Sequence, residues 1–210
     1  MTKKSGISRR LIAVITTLLL VFGLTAPLAV SNAQAEPAAP AQPAAPAQPA
    51  APAQPLGAQN GFTVEEVDGV KTLTAWQGSG TEVTIPDGVV AIAERVFFGK
   101  GLTKVTLPES VTTIGEGAFQ NNEIEKIDAP KVTKLGEYAF SDNKLTEFTA
   151  PELAETADYA LANNKLTKFA QKSGKIGVNA LANNELTEAS INGVSEIGAG
   201  AFLNNDLTEV

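Results

Sequence analysis

The apolar positions of the chain repeat with a period close to 21 residues. Five copies of one six-residue phrase occur, each with a large apolar residue, two variable residues, an asparagine, one more variable residue, and then leucine or isoleucine. The copies begin at Phe119, Phe140, Leu161, Leu181 and Phe202, so they lie 21, 21, 20 and 21 residues apart. A fixed short period is typical of a solenoid, in which one structural unit stacks on copies of itself.

Each unit predicts one short strand. In the unit that begins at Leu102, Val105 and Leu107 alternate with polar residues, which is the pattern of a half-buried strand, and Pro108 ends it. Further apolar residues are expected to be buried on the return path of the coil: Val111, Ile114, Ala118 and Phe119. The predicted fold is a leucine-rich-repeat-like solenoid, a right-handed stack of about six coils of 20–22 residues with a short strand per coil.

One asparagine per unit occupies the turn into the next strand: Asn122, Asn143, Asn164, Asn184 and Asn205. Asparagine tolerates left-handed backbone and bonds nearby main-chain groups. The favoured interpretation is a structural ladder that joins adjacent turns. The alternative is a polar row that binds a ligand.

A β-hairpin is predicted before the repeats, at residues 61–82. Two alternating runs, 62–67 and 71–76, flank Asp68 and Gly69, and Asp-Gly between such runs favours a tight hairpin turn. The hairpin would cap the first coil and cover its strand edge. Trp76 would then be part of the core of the cap, with a ligand-stacking role as the alternative.

Two units break the apolar pattern. Thr156 stands at a position that is isoleucine or leucine elsewhere. The unit that begins at Leu166 has 20 residues and places Gln171 and Ser173 at positions that are apolar in other units. We therefore expect the weakest core around residues 153–175.

Two segments precede the repeats. Residues 1–35 combine a basic start, an apolar run and a small-residue cleavage site, which predicts a secretory signal peptide; an uncleaved membrane anchor is the alternative. Residues 36–60 are rich in alanine, proline and glutamine, which predicts a disordered linker, and this linker could also serve as a stalk. We expect a mature chain without a membrane span, secreted or held at a bacterial cell surface.

Composition excludes several function classes. All 23 acidic residues follow position 35, whereas four of the 16 basic residues precede it, so the mature chain carries a net charge of −11. This charge disfavours nucleic-acid binding. The chain has no histidine and no cysteine, and therefore lacks the commonest general base and metal ligands. Ser79 has no such partner, so we predict no catalytic residue, no cofactor, no metal, no small-molecule substrate and no enzymatic activity.

Two stretches carry a family resemblance. Residues 83–92 and 105–119 both contain the pattern I/L-P-x-x-V-x-x-I, and in the second stretch this pattern continues with G-x-x-A-F. With these motifs the chain resembles the BspA-like, or Treponema pallidum type, leucine-rich repeat proteins over residues 62–210. Asn122 and its equivalents replace the cysteine frequent in that family, and Lys172 and Asn192 replace the proline. The resemblance implies an exported bacterial or protist protein that binds host matrix proteins or other cells.

The predicted ligand surface is the exposed strand face of the repeats at 83–210. Its candidate residues are Lys104, Thr106, Lys126, Asp128, Glu147, Thr149, Lys168, Glu188 and Ser190. Both charge signs occur in the set, so no single charged ligand is indicated, and the alternative is an ordinary solvated strand face. The expected partner is a protein ligand. The alternative functions are a passive spacer of the cell envelope and the targeting arm of a larger protein. The sequence stops at Val210 within a new strand, so we expect that further coils or an anchor follow.

Overall fold

A computed structural model describes residues 61–208. This part of the chain is a β-solenoid of six coils, and no helix occurs in it. The coils are numbered here as coil 1 (80–101), coil 2 (102–123), coil 3 (124–144), coil 4 (145–165), coil 5 (166–185) and coil 6 (186–206). The predicted repeat solenoid is confirmed.

The predicted signal peptide at 1–35 and linker at 36–60 lie outside the described residues, as does the end of the chain at 209–210. Among residues 61–208, no helix has the length and apolar character needed to cross a membrane.

The predicted hairpin precedes the first coil. Strand β1 (Phe62–Val67) pairs antiparallel with β2 (Val70–Trp76), and Val67 lies opposite Val70. Asp68 and Gly69 both have left-handed backbone, with φ of 51° and 79°, as a tight two-residue hairpin turn requires. Strand β2 then pairs with the first coil, so the hairpin covers that edge of the stack.

Each coil contributes two short strands, one more than the sequence predicted. The first strands form the short-strand face: β3 (Glu82–Thr84), β5 (Lys104–Thr106), β7 (Lys126–Asp128), β9 (Glu147–Thr149), β11 (Lys168–Ala170) and β13 (Glu188–Ser190). The second strands form the long-sheet face: β4 (Ala91–Ile92), β6 (Thr113–Ile114), β8 (Lys134–Leu135), β10 (Glu155–Thr156), β12 (Gly174–Ile176) and β14 (Val194–Ile197).

The two faces differ in continuity. The long-sheet face joins the hairpin in one eight-stranded sheet whose coil strands are parallel. The short-strand face is divided into three parallel pairs, β3 with β5, β7 with β9, and β11 with β13. The predicted ligand residues therefore lie on the interrupted face.

The core runs along the inside of the stack. It is filled by the predicted apolar columns, and an aromatic column extends from the cap into coil 3. The Trp76 ring lies 5.4 Å from that of Phe97, Phe97 lies 4.9 Å from Phe119, and Phe119 lies 5.0 Å from Phe140. Trp76 is thus buried between the hairpin and the first coil.

A buried polar cluster interrupts the core between coils 4 and 5. Thr156 and Gln171 are each 1% exposed, and the Thr156 hydroxyl donates to Gln171 Oε1 at 2.7 Å. The Gln171 amide donates to the carbonyls of Ser173 at 2.8 Å and Lys175 at 3.0 Å, with a longer contact of 3.3 Å to Ala154. Ser173 is exposed and does not fill the position of Val111. The irregular segment is therefore a hydrogen-bonded polar insert.

Candidate binding face

The nine predicted ligand residues all lie on the short-strand face. They occupy the first and third positions of β5, β7, β9 and β13 and the first position of β11, and all are exposed. The side chain between them in each strand points into the core or is partly buried. Alternation along a three-residue strand thus aims these side chains at solvent.

The lysines of this face form ion pairs with the neighbouring coil. Lys104 lies 3.8 Å from Glu82, Lys126 lies 2.7 Å from Glu147, and Lys168 lies 3.0 Å from Glu188. Exposed pairs of this kind contribute little to stability. Their consequence is electrostatic, because a lysine with a glutamate beside it presents no isolated positive charge to a ligand.

A groove of about 710 Å³ opens on the short-strand face across coils 4, 5 and 6. Its lining comprises Phe148, Thr149, Ala150, Pro151, Lys168, Phe169, Ala170, Lys172, Glu188, Ala189, Ser190 and Asn192. Four of the nine predicted residues are in this lining: Thr149, Lys168, Glu188 and Ser190. The other five lie on the same face outside the groove. The structure therefore brings together only the C-terminal part of the predicted set.

Residue size explains where the groove forms. The central strand position holds valine or isoleucine in coils 1–3, phenylalanine in coils 4 and 5, and Ala189 in coil 6. Phe148 is only partly buried, whereas Phe169 is buried. A small residue beside two large ones leaves a depression, and the absence of strand pairing between β9 and β11 lies at the same place. The sequence analysis missed Phe148 and Phe169, although their 21-residue spacing was visible.

The five repeated asparagines form the buried ladder, in which four side chains are buried and that of Asn205 is partly buried. Asn143 is representative: its Oδ1 accepts from the Ile124 amide at 3.2 Å, and its Nδ2 donates to the carbonyls of Phe119 at 2.9 Å and Phe140 at 3.0 Å. The same contacts recur at Asn122, Asn164, Asn184 and Asn205. Each side chain joins its own turn to the preceding coil. Its oxygen and its nitrogen are both hydrogen-bonded within the protein, which supports the structural role over ligand binding.

The left-handed backbone that we expected at these asparagines belongs to the residue before each. The residues concerned are Asn121, Asp142, Asn163, Asn183 and Asn204, with φ between 54° and 58°. Four of these side chains form a second, exposed ladder: Asn163 donates to Asp142 at 2.8 Å, Asn183 to Asn163 at 2.7 Å and Asn204 to Asn183 at 2.7 Å. The two adjacent polar positions of each turn therefore have different roles.

Two lysines outside the short-strand face have perturbed titration. The hydrogen bond and charge of Glu123 raise the pKa of Lys144 above the usual lysine value, and Glu196 raises the pKa of Lys175 in the same way. Both ammonium groups are exposed, so these pairs act as surface links between coils. Among residues 61–208, no cluster of three or more histidine, cysteine, aspartate or glutamate side chains is arranged to hold a metal ion.

Comparisons with known proteins agree with the repeat pattern. A model of the BspA type leucine rich repeat region matches six copies, over residues 75–174 and 129–210. The chain is also similar, with 20% identity and a TM-score of 0.41, to the crystal structure of a leucine rich cell surface protein from Faecalibacterium prausnitzii A2-165. That match covers 71% of this chain and 54% of the other, so the chain spans about half the length of that protein. No curated protein matches. Because the family model covers well over half of the sequence, the chain belongs to the BspA-type leucine-rich repeat family.

Proposed function

We propose that the protein is an exported protein-binding module that mediates adhesion at a bacterial cell surface. The family and the description of a similar protein as a cell surface protein support this location. The predicted signal peptide supports export, and the linker would hold the repeats away from the envelope. The ligand class that fits is a host matrix protein or a protein on another cell.

The groove on the short-strand face carries this proposal. Its floor contains the apolar side chains of Phe148, Phe169 and Ala189, and the charged groups of Lys168 and Glu188 line it. Protein-binding sites combine an apolar centre that excludes water with a polar surround that fixes orientation. Lys168 and Glu188 hold opposite charges in a fixed order, and Lys172 adds a further positive charge to the lining. Apolar contact and the order of these charges would therefore together determine the recognition of a partner.

The test is binding of the immobilised mature domain to fibronectin, fibrinogen and whole cells. Two charge-swapped variants are compared: Lys168→Glu with Glu188→Lys in the groove, and Lys126→Glu with Glu147→Lys outside it. Each swap keeps an opposite-charge pair between neighbouring coils, so the two variants should be equally stable.

We expect saturable binding to at least one probe, a loss of affinity of about tenfold in the groove variant, and no change in the control. A tenfold loss corresponds to about 1.4 kcal/mol. Equal losses in both variants would place the site elsewhere on the surface. The absence of saturable binding to any probe would favour the passive spacer, or the targeting arm of a larger protein. That the chain has no enzymatic activity remains a prediction.

A further inference from the structure

A second column of left-handed residues lies on the turn that follows each strand of the long-sheet face. It comprises Arg95, Gly117, Tyr138, Tyr159, Asn179 and Gly200, with φ between 51° and 67°. The turn therefore requires this conformation in all six coils. Glycine and asparagine adopt it readily, whereas a bulky aromatic residue does so rarely. Coils 3 and 4 hold tyrosines where a glycine or asparagine would be less strained, and such outliers cluster at functional sites.

The two tyrosines form a stacked pair with unequal surroundings. Their ring centroids are 4.9 Å apart and the rings are within 4° of parallel. On the far side of Tyr159 lies Asn179, whose Nδ2 donates to the Tyr159 hydroxyl at 2.8 Å. The opposite face of Tyr138 is directed at coil 2, where the column has Gly117 and no side chain. One aromatic face is therefore left without a stacking partner from its own column.

The space above Gly117 is bordered by polar side chains on one side and by the Tyr138 ring on the other. A methyl group placed on Gly117 would first meet Arg95 Cγ and Gln120 Oε1, each at 3.4 Å, and no atom of Tyr138 is as near. Arg95 and Tyr138 are two coils apart, and adjacent strands lie about 4.8 Å apart, so the gap between their backbones is roughly 10 Å. The Arg95 side chain leans over Gly117 from one side of this gap, so a ring bound against the open face of Tyr138 would have Arg95 as its other neighbour.

Neighbouring groups give this space the character of a site. Arg95 lies 3.7 Å from Glu116, and its guanidinium carbon lies 5.7 Å from the centroid of Phe98, which is 42% exposed. We call the surface formed by Arg95, Phe98, Glu116, Gly117, Gln120 and Tyr138 the Gly117 saddle. It combines an aromatic platform with guanidinium, carboxylate and amide groups, and its charges cancel.

We propose that the Gly117 saddle binds a pyranose ring of a surface glycan. A sugar has an apolar face of C–H groups, which stacks on an aromatic ring, and a rim of hydroxyls that both donate and accept hydrogen bonds. Tyr138 supplies the platform, while Arg95, Glu116 and Gln120 supply donors and acceptors for the rim. The neutralised Arg95 disfavours a phosphate or carboxylate ligand, which would seek an unpaired guanidinium. This site is separate from the groove, which lies in coils 4–6.

The test uses a printed array of defined bacterial and mammalian oligosaccharides, probed with the labelled mature protein. The blocking variant is Gly117→Asn, which copies the residue of coil 5 and places a side chain against Tyr138 as Asn179 stands against Tyr159. The matched control is Gly200→Asn, the same substitution at the other end of the column, where the added side chain meets the flexible amide of Asn179. A second variant, Tyr138→Asn, removes the platform with a residue that tolerates left-handed backbone. Thermal unfolding identifies any variant that fails to fold.

We expect the protein to bind at least one printed glycan, with at least tenfold weaker binding in Gly117→Asn and Tyr138→Asn and a change of less than twofold in Gly200→Asn. The groove variant with swapped Lys168 and Glu188 should bind the same glycan normally, which separates this site from the proposed protein site. Binding to no printed glycan, or equal binding by folded Gly117→Asn and the wild type, would overturn the proposal.

Discussion

Coils 2 and 3 and the junction of coils 4 and 5 share one backbone path, yet they are held together differently. In coils 2 and 3 the interior is a column of apolar side chains, with the stacked rings of Phe119 and Phe140 at its centre. At the junction, the hydroxyl and amide of Thr156 and Gln171 replace two apolar side chains and bond to each other and to carbonyls. The interior of the stack must be filled and its polar groups must be hydrogen-bonded. Apolar side chains meet this requirement in coils 2 and 3, and hydrogen-bonded polar side chains meet it at the junction.

The largest expected effect is the loss of a ring from the regular region. Phe119→Ala removes a side chain that is fully buried between Phe97 and Phe140, and such changes cost about 3–5 kcal/mol because they leave a cavity. Urea unfolding measures the change. The control is Phe98→Ala, at an exposed aromatic residue of coil 1, for which we expect a change within about 0.5 kcal/mol. A loss as small in Phe119→Ala as in the control would show that coil 2 can collapse around the missing ring.

The next effect concerns the buried ladder that both regions share. Asn143→Ala leaves the Ile124 amide without its acceptor, whereas the carbonyls of Phe119 and Phe140 each lose one of two asparagine donors and keep the other. The orphaned amide costs about 1–3 kcal/mol, and each lost bond to a carbonyl that keeps a donor costs less, so we expect a total loss of roughly 2–4 kcal/mol. The matched control, Asn163→Gly, removes an amide of the exposed ladder and keeps a residue suited to left-handed backbone, so it should cost much less. A loss as large in the control would mean that the exposed ladder also holds the coils.

A smaller effect is expected at the polar junction. Gln171→Ala removes the acceptor of Thr156 and the donor to two carbonyls, which should cost about 1–3 kcal/mol. The double variant Thr156→Ile with Gln171→Leu replaces both partners by apolar groups, and this should be much closer to neutral than the single variant. If the double variant is the less stable of the two, the junction has a shape that apolar side chains do not fit.

Local opening should distinguish the two regions more finely. We expect amides in residues 153–175 to exchange with solvent about five to ten times faster than those in 102–140, which corresponds to a difference of about 1–1.4 kcal/mol in opening free energy. Native-state hydrogen exchange measures this directly. Equal protection of both segments would show that the hydrogen-bonded insert stabilises the stack as well as the apolar column does.

The smallest expected effect is a change in stability at alkaline pH. Because the pKa of Lys144 and of Lys175 is raised in the folded protein, their pairs with Glu123 and Glu196 stabilise it fully below the unfolded lysine pKa of about 10.4. This stabilisation is lost as the pH rises through the higher folded value. The melting temperature should therefore fall less above pH 10 in Lys144→Gln with Lys175→Gln than in the wild type. Parallel pH profiles would contradict the assignment.

The periodic features could be predicted from the sequence because they depend on spacing alone. The stack, the hairpin at Asp68 and Gly69, and the place of Trp76 all follow from alternation and repeat length. The long-sheet face could not be predicted, since a strand such as β6 has only two residues, too few to show alternation. The left-handed backbone was expected at Asn122 but belongs to Asn121. A sequence pattern cannot tell which of two adjacent asparagines adopts this conformation, since only their backbone geometry differs.

The candidate site was only partly predictable for a related reason. Alternation identified the exposed positions of the short-strand face, including Thr149 and Lys168. The groove depends on the sizes of Phe169 and Ala189 in adjacent coils, and size differences across coils are not part of a periodic signal. Tyr138 likewise stood out only when its left-handed backbone and its neighbour Gly117 were seen together.

The exposed ladder also limits how the repeats can be rearranged. Asn163 donates to Asp142 from one side and Gln120 donates to it from the other, at 2.8 Å and 3.3 Å, so the direction of hydrogen bonding reverses at Asp142. A carboxylate accepts but cannot donate, and in the place of Asn183 it would leave the Asn163 oxygen without a donor. Coils with the same backbone are therefore not interchangeable, and recombination that duplicates or reorders them would preserve this surface only when coil 3 keeps compatible neighbours.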